Sequence, residues 1–273
     1  MSEENFLKIG LDHFSPSQLL RPTPNWLFEY VYLSKDQRRA ITVGENAAYG
    51  TAVHNGIQAN LVGDVDVEQA IDQALLDFDF HPADEDAEKR VEYRGRIPAA
   101  VELGCEHFKD LTDVGDEQKI HLELPDVSIP LTGYIDLVSD GNLYEMKTKA
   151  PRKGQIKKDG TRGWSKPAMP KEPDYNHLCQ VAVYHAATGL KPNIVYISDT
   201  DVAHFDQDNC DKLSPEYLEY CLYDLRRRAL IRQNLLAVST DPKVLAGLVE
   251  PEFNHPFYWK NQFIDEARTL WNL

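Results

Sequence analysis

The sequence predicts an α/β fold in which a mixed central sheet is flanked by helices. Residues 45–110, 214–237 and 263–270 show helical patterns, whereas the strand-like alternation of apolar and polar residues is confined to 119–198. The chain has 273 residues, of which 42% are hydrophobic, enough to bury one core. We therefore expect a single domain over 1–273, with its core at about 45–200 and a helical C-terminal extension at about 212–273.

The part of the chain before the first strand is predicted to be helical. Ser15 or Ser17 would cap a short helix, because a serine hydroxyl accepts a hydrogen bond from a backbone N–H in the first turn. Pro98 is a candidate break in the last of the longer helices. These longer helices are expected at 45–62, 67–78 and 90–110.

The middle of the chain is predicted to form the sheet. Asp140-Gly141 is a strong signal for a tight hairpin turn, which would pair Leu137 with Tyr144. Gly189 would end the helix that follows the first three strands. The expected strands are 119–125, 131–139, 142–148 and 192–198, and the later helices are 174–189, 214–237 and 263–270.

Charge is distributed unevenly along the chain. The net charge is −15, and ten acids with no lysine or arginine lie between Asp64 and Glu88. From Lys147 to Lys171, in contrast, there are nine basic residues and one acid. No apolar run approaches the ~20 residues of a membrane span, and the acidic N-terminus has no signal-peptide profile. We expect a cytoplasmic protein without a membrane partner.

The four cysteines are predicted to be free thiols in or near the core. None belongs to a Cys-x-x-Cys pair, so their spacing argues against a zinc ribbon. Structural disulfides are uncommon in cytosolic chains of this size. The residues are Cys105, Cys179, Cys210 and Cys221.

Asp136, Glu145 and Lys147 form the constellation that carries chemistry. Strand period is two, so Glu145 and Lys147 project from one face, and the hairpin brings Asp136 beside Glu145. Two close carboxylates repel each other unless a cation lies between them, and such oxygen ligands suit Mg²⁺ or Mn²⁺. A neighbouring lysine can orient a water or stabilise a phosphate. On these residues alone, an ordinary solvated hairpin face remains an alternative.

The run GYIDLVSDGNLYEMKTK (133–149) resembles the core motif of PD-(D/E)XK nucleases, Gly-x-x-Asp followed by Glu-x-Lys. Three further segments resemble the RecB-type and λ-exonuclease-like branch in the expected order. They are FSPSQL (14–19), with its Ser-x-Ser, GTAVH (50–54), with its Gly-x-x-x-His, and QVAVY (180–184), with its Gln-x-x-x-Tyr. The resemblance covers about residues 14–198 and implies a restriction-endonuclease-like core with helical additions.

The resemblance also implies roles for individual residues. His54, Asp136, Glu145 and the Met146 carbonyl would bind Mg²⁺ or Mn²⁺, and Lys147 would be the catalytic amine.

Gln180 and Tyr184 would form hydrogen bonds at the active site and to a DNA phosphate. Glu123, on the strand before Asp136, is a further candidate for holding the metal or positioning the lysine. Many RecB-type relatives carry an iron–sulfur cluster, but TPNW (23–26) lacks a cysteine and the C-terminal region lacks Cys-x-x-Cys, so we expect no cluster.

The basic segment is predicted to be a long loop that contacts DNA, because clustered lysine and arginine neutralise phosphates and a tryptophan can stack on a base. A solvated, flexible charge run is the alternative. The candidate DNA-binding residues are Lys149, Arg152, Lys153, Lys157, Lys158, Arg162, Trp164 and Lys166. Arg226–Arg228, on a later helix, could add contacts or could simply be surface residues.

The predicted function is phosphodiester hydrolysis in DNA. The branch resemblance favours an exonuclease that acts on double-stranded DNA with a free end, in bacterial or phage recombination, repair or DNA processing. An endonuclease or a flap or single-strand nuclease of the same fold is the nearest alternative. A non-catalytic DNA-binding protein and an enzyme for a small phosphate ester are others. An oligomer or a recombination partner protein is also compatible with the resemblance.

Overall fold

The computed structural model describes residues 3–41, 44–63, 65–81, 87–115, 117–156, 158, 162–251, 253 and 262–273. The helices are α1 (Glu3–Lys8), α2 (Pro16–Leu20), α3 (Thr23–Trp26), α4 (Lys35–Arg39), α5 (Glu45–Val62), α6 (Val67–Phe80), α7 (Ala87–Phe108), α8 (Tyr175–Thr188), α9 (Pro215–Val238), α10 (Pro242–Ala246) and α11 (Ile264–Leu270). A π-helix spans Leu27–Tyr32 and a 3₁₀ turn spans Asp211–Leu213. The strands are β1 (Gln118–Leu122), β2 (Leu131–Ile135), β3 (Leu137–Ser139), β4 (Asn142–Thr148), β5 (Arg152–Ile156), β6 (Arg162–Ser165), β7 (Lys191–Ile197) and β8 (Val202–Phe205).

A mixed sheet of four strands, in the order β3-β4-β7-β8, lies at the centre. β4 is parallel to β7 and antiparallel to β3, and β8 is antiparallel to β7. β1 and β2 form an antiparallel pair, as do β5 and β6. The predicted α/β class, with a mixed sheet flanked by helices, is confirmed.

Helices cover both faces of the central sheet. Alternate residues of one strand point to opposite faces. Accordingly, Leu143 and Tyr196 belong to a core shared with α8 and α9, whereas Tyr144, Met146 and Ile197 belong to a second core with α5, α6 and α7. Along β4, which lies between two helical layers, four of the seven residues are buried and the other three are partly buried. None of the helices in the described ranges is long and apolar enough to cross a membrane.

The local turn and cap chemistry forms as the sequence predicts. Asp140 and Gly141 have φ of 47° and 78°, the positive values that a tight hairpin turn requires, and Leu137 pairs with Tyr144. Ser15 caps α2 by accepting a hydrogen bond from the Gln18 N–H. Gly189 closes α8 with φ of 74°.

The four cysteines are free, and three of them are buried, as expected. The expected long helices and the four expected strand regions are also present. The short strand β8, the helices α1, α3, α4 and α10 and the π-helix were not predicted.

Three expectations about local structure are wrong. Pro98 does not break α7, which is continuous from 87 to 108 because buried Ile97 and Ala100 anchor both sides of the proline in the core. Residues 131–139 form two strands rather than one, since β2 ends at Ile135 and pairs with β1 instead of β4.

The third wrong expectation is the long basic loop. It contains the β5–β6 hairpin, in which Lys153 pairs with Trp164 and Arg152 with Ser165. The Ser165 hydroxyl donates to the Arg152 carbonyl at 3.0 Å, and the Lys153 Nζ lies 5.7 Å from the centre of the Trp164 ring. These cross-strand contacts outweigh the loop-favouring glycines and prolines nearby.

Candidate active site

Asp136 is the single residue between β2 and β3, which pair with different strands. β2 ends at Ile135, and the β3–β4 ladder begins at Leu137 paired with Tyr144. One step beyond that pair, the Asp136 Oδ2 accepts a hydrogen bond from the Met146 N–H at 2.7 Å. A carboxylate thus takes the place of a backbone acceptor. This bond fixes Asp136 against the edge of β4, next to the residues that follow Tyr144.

Glu145 and Lys147 lie on β4 and meet, as their spacing predicts. The Lys147 Nζ forms an ion pair with the Glu145 Oε1. The Glu145 side chain is only 2% exposed, and its Oε2 is a buried atom without a hydrogen-bond partner. The Lys147 side chain is 25% exposed, so it is less deeply buried than the carboxylate. One oxygen of Glu145 therefore has unused capacity to accept a ligand.

His54 approaches the carboxylates from α5. Its Nε2 lies 3.8 Å from the Asp136 Oδ1. One turn earlier, a Cβ added to Gly50 would lie 2.8 Å from the Thr148 Oγ1, so the glycine permits close packing of α5 on β4. The next turn of α5 contributes Gln58, which donates to the Asp136 carbonyl at 2.9 Å. The Gly-x-x-x-His spacing thus places the imidazole beside Asp136.

Tyr184 and Gln180 form the wall on the α8 side. Tyr184 is 3% exposed, and its hydroxyl is hydrogen-bonded with Gln180. A Cβ on Gly133 would lie 2.5 Å from the Tyr184 Cε1, so the glycine three residues before Asp136 makes room for the ring. Burial raises the pKa of Tyr184, and the negative charges of Glu145 and Asp136 raise it further. The tyrosine is therefore a neutral hydrogen-bonding group.

The N-terminal segment lies beside Gln180. A pocket of about 170 Å³ is lined by Leu20 and by four polar or charged residues, Ser17, Arg21, Asn176 and Gln180. The Ser-x-Ser segment and the Gln-x-x-x-Tyr motif, which are distant in sequence, therefore meet in one polar pocket.

Burial disfavours the charged forms of both carboxylates. It raises the pKa of Asp136 to about 6, against the opposing effect of Lys147. Burial and the charge of Asp136 raise the pKa of Glu145 to about 7. For Lys147, burial acts to lower the pKa, but Glu145 and Asp136 more than offset it and the pKa is raised, so the amine is a cation. A further positive charge, in addition to Lys147, would stabilise the charged forms of both carboxylates.

The donor set fits a divalent cation. Two carboxylates, an imidazole nearby and an unpartnered buried oxygen are the features such an ion would satisfy. In the described part of the chain, no three His, Cys, Asp or Glu side chains are already arranged around one metal position. The Lys147 ammonium contacts Glu145 instead, as a monovalent positive partner.

Glu117, which the sequence did not single out, lies nearer the site than Glu123. The register pairs Gln118 with Ile135, which places Glu117 opposite Asp136. Glu117 also lines the same cleft as His54. Glu123 follows β1 at the other end, beyond the pairing of Leu122 with Leu131, so the expected role for Glu123 is wrong. The pairing of β1 with β2 identifies Glu117, because extending it by one residue beyond Gln118 and Ile135 reaches Glu117 and Asp136.

A groove runs from the candidate active site to the β5–β6 hairpin. Its first part is a cleft of about 480 Å³ between α5 and β4, lined by His54, Met146 and Lys147 among others. Its second part has a volume of about 690 Å³ and shares Asn46 and Thr148 with the first. Four of the candidate DNA-binding residues line this second part: Lys149, Arg152, Lys153 and Trp164.

The remaining candidate DNA-binding residues are placed differently. Lys166, which follows β6, forms an ion pair with Asp201 at 2.6 Å and does not line the groove. Lys158 is exposed in a turn. Lys157 and the side chain of Arg162 lie outside the described residues.

Two of the three arginines in Arg226–Arg228 on α9 have partners on the protein surface. Arg226 contacts Asp126, and Arg228 pairs with Asp224 at 2.8 Å. Of the two roles considered for this stretch, these contacts favour the surface role.

Comparisons with known proteins do not identify a family. The chain matches no family model and no curated protein. Among solved structures, it is similar to one described as "Crystal structure of SSO0001", with 14% identity, a TM-score of 0.29 and coverage of 74% of this chain and 81% of that chain. At that TM-score the likeness carries no argument about function.

Proposed function

We propose that this protein is a metal-dependent DNA nuclease with a restriction-endonuclease-like core of the PD-(D/E)XK type. The observation that carries the proposal is the convergence of Asp136, Glu145 and Lys147 on one edge of β4, with a buried Glu145 oxygen left unpartnered. Burying carboxylates without full compensation is costly, so such an arrangement is typical of a site that is completed by a ligand.

Asp136, Glu145, His54 and the Met146 carbonyl are the groups that would hold Mg²⁺ or Mn²⁺. When bound, the ion supplies Lewis acidity and lowers the pKa of a coordinated water. The role of Lys147 is to place a permanent positive charge beside the phosphate. Its raised pKa suits it to stabilise developing negative charge rather than to accept a proton.

The polar pocket beside Gln180 gives the site a second contact with the DNA backbone. Ser17, Asn176 and Gln180 offer hydrogen bonds, and Arg21, which is ion-paired with Glu29, adds further N–H donors. Tyr184 holds Gln180 through their hydrogen bond and is itself fixed against Gly133. We assign Gln180 to phosphate binding and Tyr184 to positioning Gln180.

Our preferred mode of action is exonucleolytic cutting of double-stranded DNA from a free end, in recombination, repair or phage DNA processing. An endonuclease or a flap or single-strand nuclease would use the same catalytic residues, because the mode depends on how DNA enters the groove. A non-catalytic DNA-binding protein is disfavoured, since the complete Asp136, Glu145 and Lys147 set would then have no purpose. A homo-oligomer or a recombination partner could supply the channel that an end requirement needs.

The test is degradation of end-labelled linear duplex DNA with Mg²⁺ or Mn²⁺, with and without chelator. We expect Asp136→Asn and Glu145→Gln each to lower kcat at least about 100-fold, since each removes a metal-binding charge from the transition state. Glu123→Gln is the matched control and should retain activity. Full activity in either site variant would overturn the proposal. Covalently closed circular DNA in parallel separates the modes, because an exonuclease leaves it intact.

A further inference from the structure

The second part of the groove is an aromatic pocket, defined by Trp164, Tyr93, Lys89, Lys149, Arg152 and Lys153. It adjoins the catalytic cleft directly, since Asn46 and Thr148 line both. Thr148 follows the catalytic lysine in sequence. A ligand in the aromatic pocket would therefore lie next to a phosphate that is bound beside Lys147.

The aromatic wall of this pocket is held in place from several sides. Tyr93 is 2% exposed, and its hydroxyl donates to the Asn46 Oδ1 at 2.6 Å, with the Pro151 carbonyl 3.1 Å away. The ring centres of Tyr93 and Trp164 are 5.9 Å apart with an edge-to-face inclination of 62°. Trp164 is half-buried and so keeps ring surface for a ligand. An aromatic ring that is fixed before binding loses little entropy when a planar group stacks on it.

Positive charge surrounds this aromatic wall. The Lys89 Nζ lies 5.3 Å from the centre of the Tyr93 ring, and the Lys153 Nζ lies 5.7 Å from that of Trp164. Glu88 pairs with Lys153 at 3.0 Å. Lys149 and Arg152 add two further cations. A flat apolar surface bordered by cations matches a planar base that carries a phosphate on its sugar.

We propose that the aromatic pocket is a nucleotide subsite that receives one unpaired nucleotide next to the phosphate being cut. A base within a duplex is covered by neighbouring bases on both faces, so it can stack on Trp164 only after leaving the helix. The inference rests on the proposed nuclease function and narrows its substrate to single-stranded or frayed DNA ends. A blunt duplex must open its terminal pair before its strand occupies the groove.

The experiment measures binding without cutting. A fluorescently labelled oligo(dT) is titrated with protein in EDTA, and the titration is repeated with one abasic residue placed at each position in turn. Stacking of one base contributes a factor of roughly 5 to 150 in affinity. We expect one position at which base removal weakens binding by this factor, and weaker binding of a blunt hairpin duplex than of the single strand.

Variants of Trp164 assign that position to the pocket. In Trp164→Ala, intact oligo(dT) should bind as weakly as the abasic strand binds to the wild type, and base removal should have no further effect. Trp164→Phe should retain part of the dependence, because it keeps a stacking face. Tyr220→Ala, which removes a ring that is 57% exposed on α9, is the matched control and should behave as the wild type. Circular dichroism checks the fold of each variant.

The outcomes separate this inference from the nuclease proposal. Cleavage of DNA together with equal affinity for every abasic strand overturns the subsite and leaves the nuclease standing. A position-specific loss of affinity in a protein that cuts no DNA supports the subsite and overturns the nuclease. If Trp164→Ala does not fold, the abasic series on the wild type and Trp164→Phe still decides the question.

Discussion

Arg232 and Glu145 are both charged side chains buried in the protein, but their surroundings differ. Arg232 on α9 is 1% exposed and donates hydrogen bonds to the carbonyls of Gln18, Leu19 and Arg21 at 3.3, 3.0 and 2.7 Å. Its guanidinium also lies over the Trp26 ring at 5.4 Å, and only its Nε is a buried atom without a partner. The chain itself supplies most of the partners of this charge.

Glu145 has fewer compensating contacts. Lys147 pairs with one carboxylate oxygen and leaves the other unpartnered, while Asp136 adds a second negative charge to the same site. The difference teaches that a buried charge with a structural role is satisfied within the fold. A buried charge left incompletely satisfied indicates a place for a ligand. Three variants can break or sharpen this comparison.

Arg232→Ala should give the largest effect. It removes the side-chain donor from the carbonyls of Leu19 and Arg21, whereas the Gln18 carbonyl still accepts the Arg21 N–H at 3.3 Å. Each unpaired buried group costs about 1–3 kcal/mol. We therefore expect a loss of roughly 3 kcal/mol or more in the free energy of unfolding, measured by urea denaturation. Arg227→Ala, at an exposed position on the same helix, is the control and should be close to neutral. A loss below about 0.5 kcal/mol would show that Arg232 is not a structural charge.

Glu145→Gln, unlike Arg232→Ala, should increase the free energy of unfolding of the metal-free protein. Burial raises the pKa of Glu145 from 4.5 to about 7, so the folded state binds more protons than the unfolded state between these values. Stability therefore falls as pH rises through this window, and the glutamine variant escapes that loss. We expect a gain of roughly 1–3 kcal/mol at pH 8. Denaturation in EDTA at pH 5 and pH 8 measures it, and a destabilised variant at pH 8 would contradict the comparison.

Gly133→Ala tests how firmly the wall beside the carboxylates is fixed. The added Cβ would lie 2.5 Å from the buried Tyr184 ring, which has little room to move. We expect about 1–2 kcal/mol of destabilisation, with a lower kcat as the hydrogen bond of Tyr184 with Gln180 shifts. Gly50→Ala is the comparison variant, because its contact at 2.8 Å is with the Thr148 hydroxyl. If the two variants lose equal stability and activity, Tyr184 is not a specially constrained wall.

The sequence predicted the β3–β4 hairpin and the meeting of Glu145 with Lys147, because both follow from local turn chemistry and strand period. The break at Asp136 was not predictable in this way. It depends on β2 pairing with β1, a contact decided by packing between distant segments. Glu117 was missed for the same reason, since it becomes a neighbour of Asp136 only through that pairing.

The aromatic pocket shows the same limit. Trp164 stood out as a candidate for base stacking, but the tyrosine that supports it is on α7, far away in sequence. The glycines and prolines around the basic segment led to the prediction of a loop, whereas the observed β5–β6 hairpin depends on contacts between its two strands. Local chemistry predicted the candidate site residues, and long-range packing determined what surrounds them.

The hydrogen bond from the Met146 N–H to Asp136 has a consequence for the length of the chain between the two carboxylates. The two-residue turn at Asp140-Gly141 sets the register of the β3–β4 hairpin, and this register determines which backbone N–H the Asp136 carboxylate reaches. One inserted residue would slip the ladder or form a bulge, and a one-residue slip turns every following side chain to the opposite face. An insertion in this turn would therefore separate Asp136 from the Met146 N–H. We expect the turn not to tolerate insertions, although hairpin tips on a protein surface usually do.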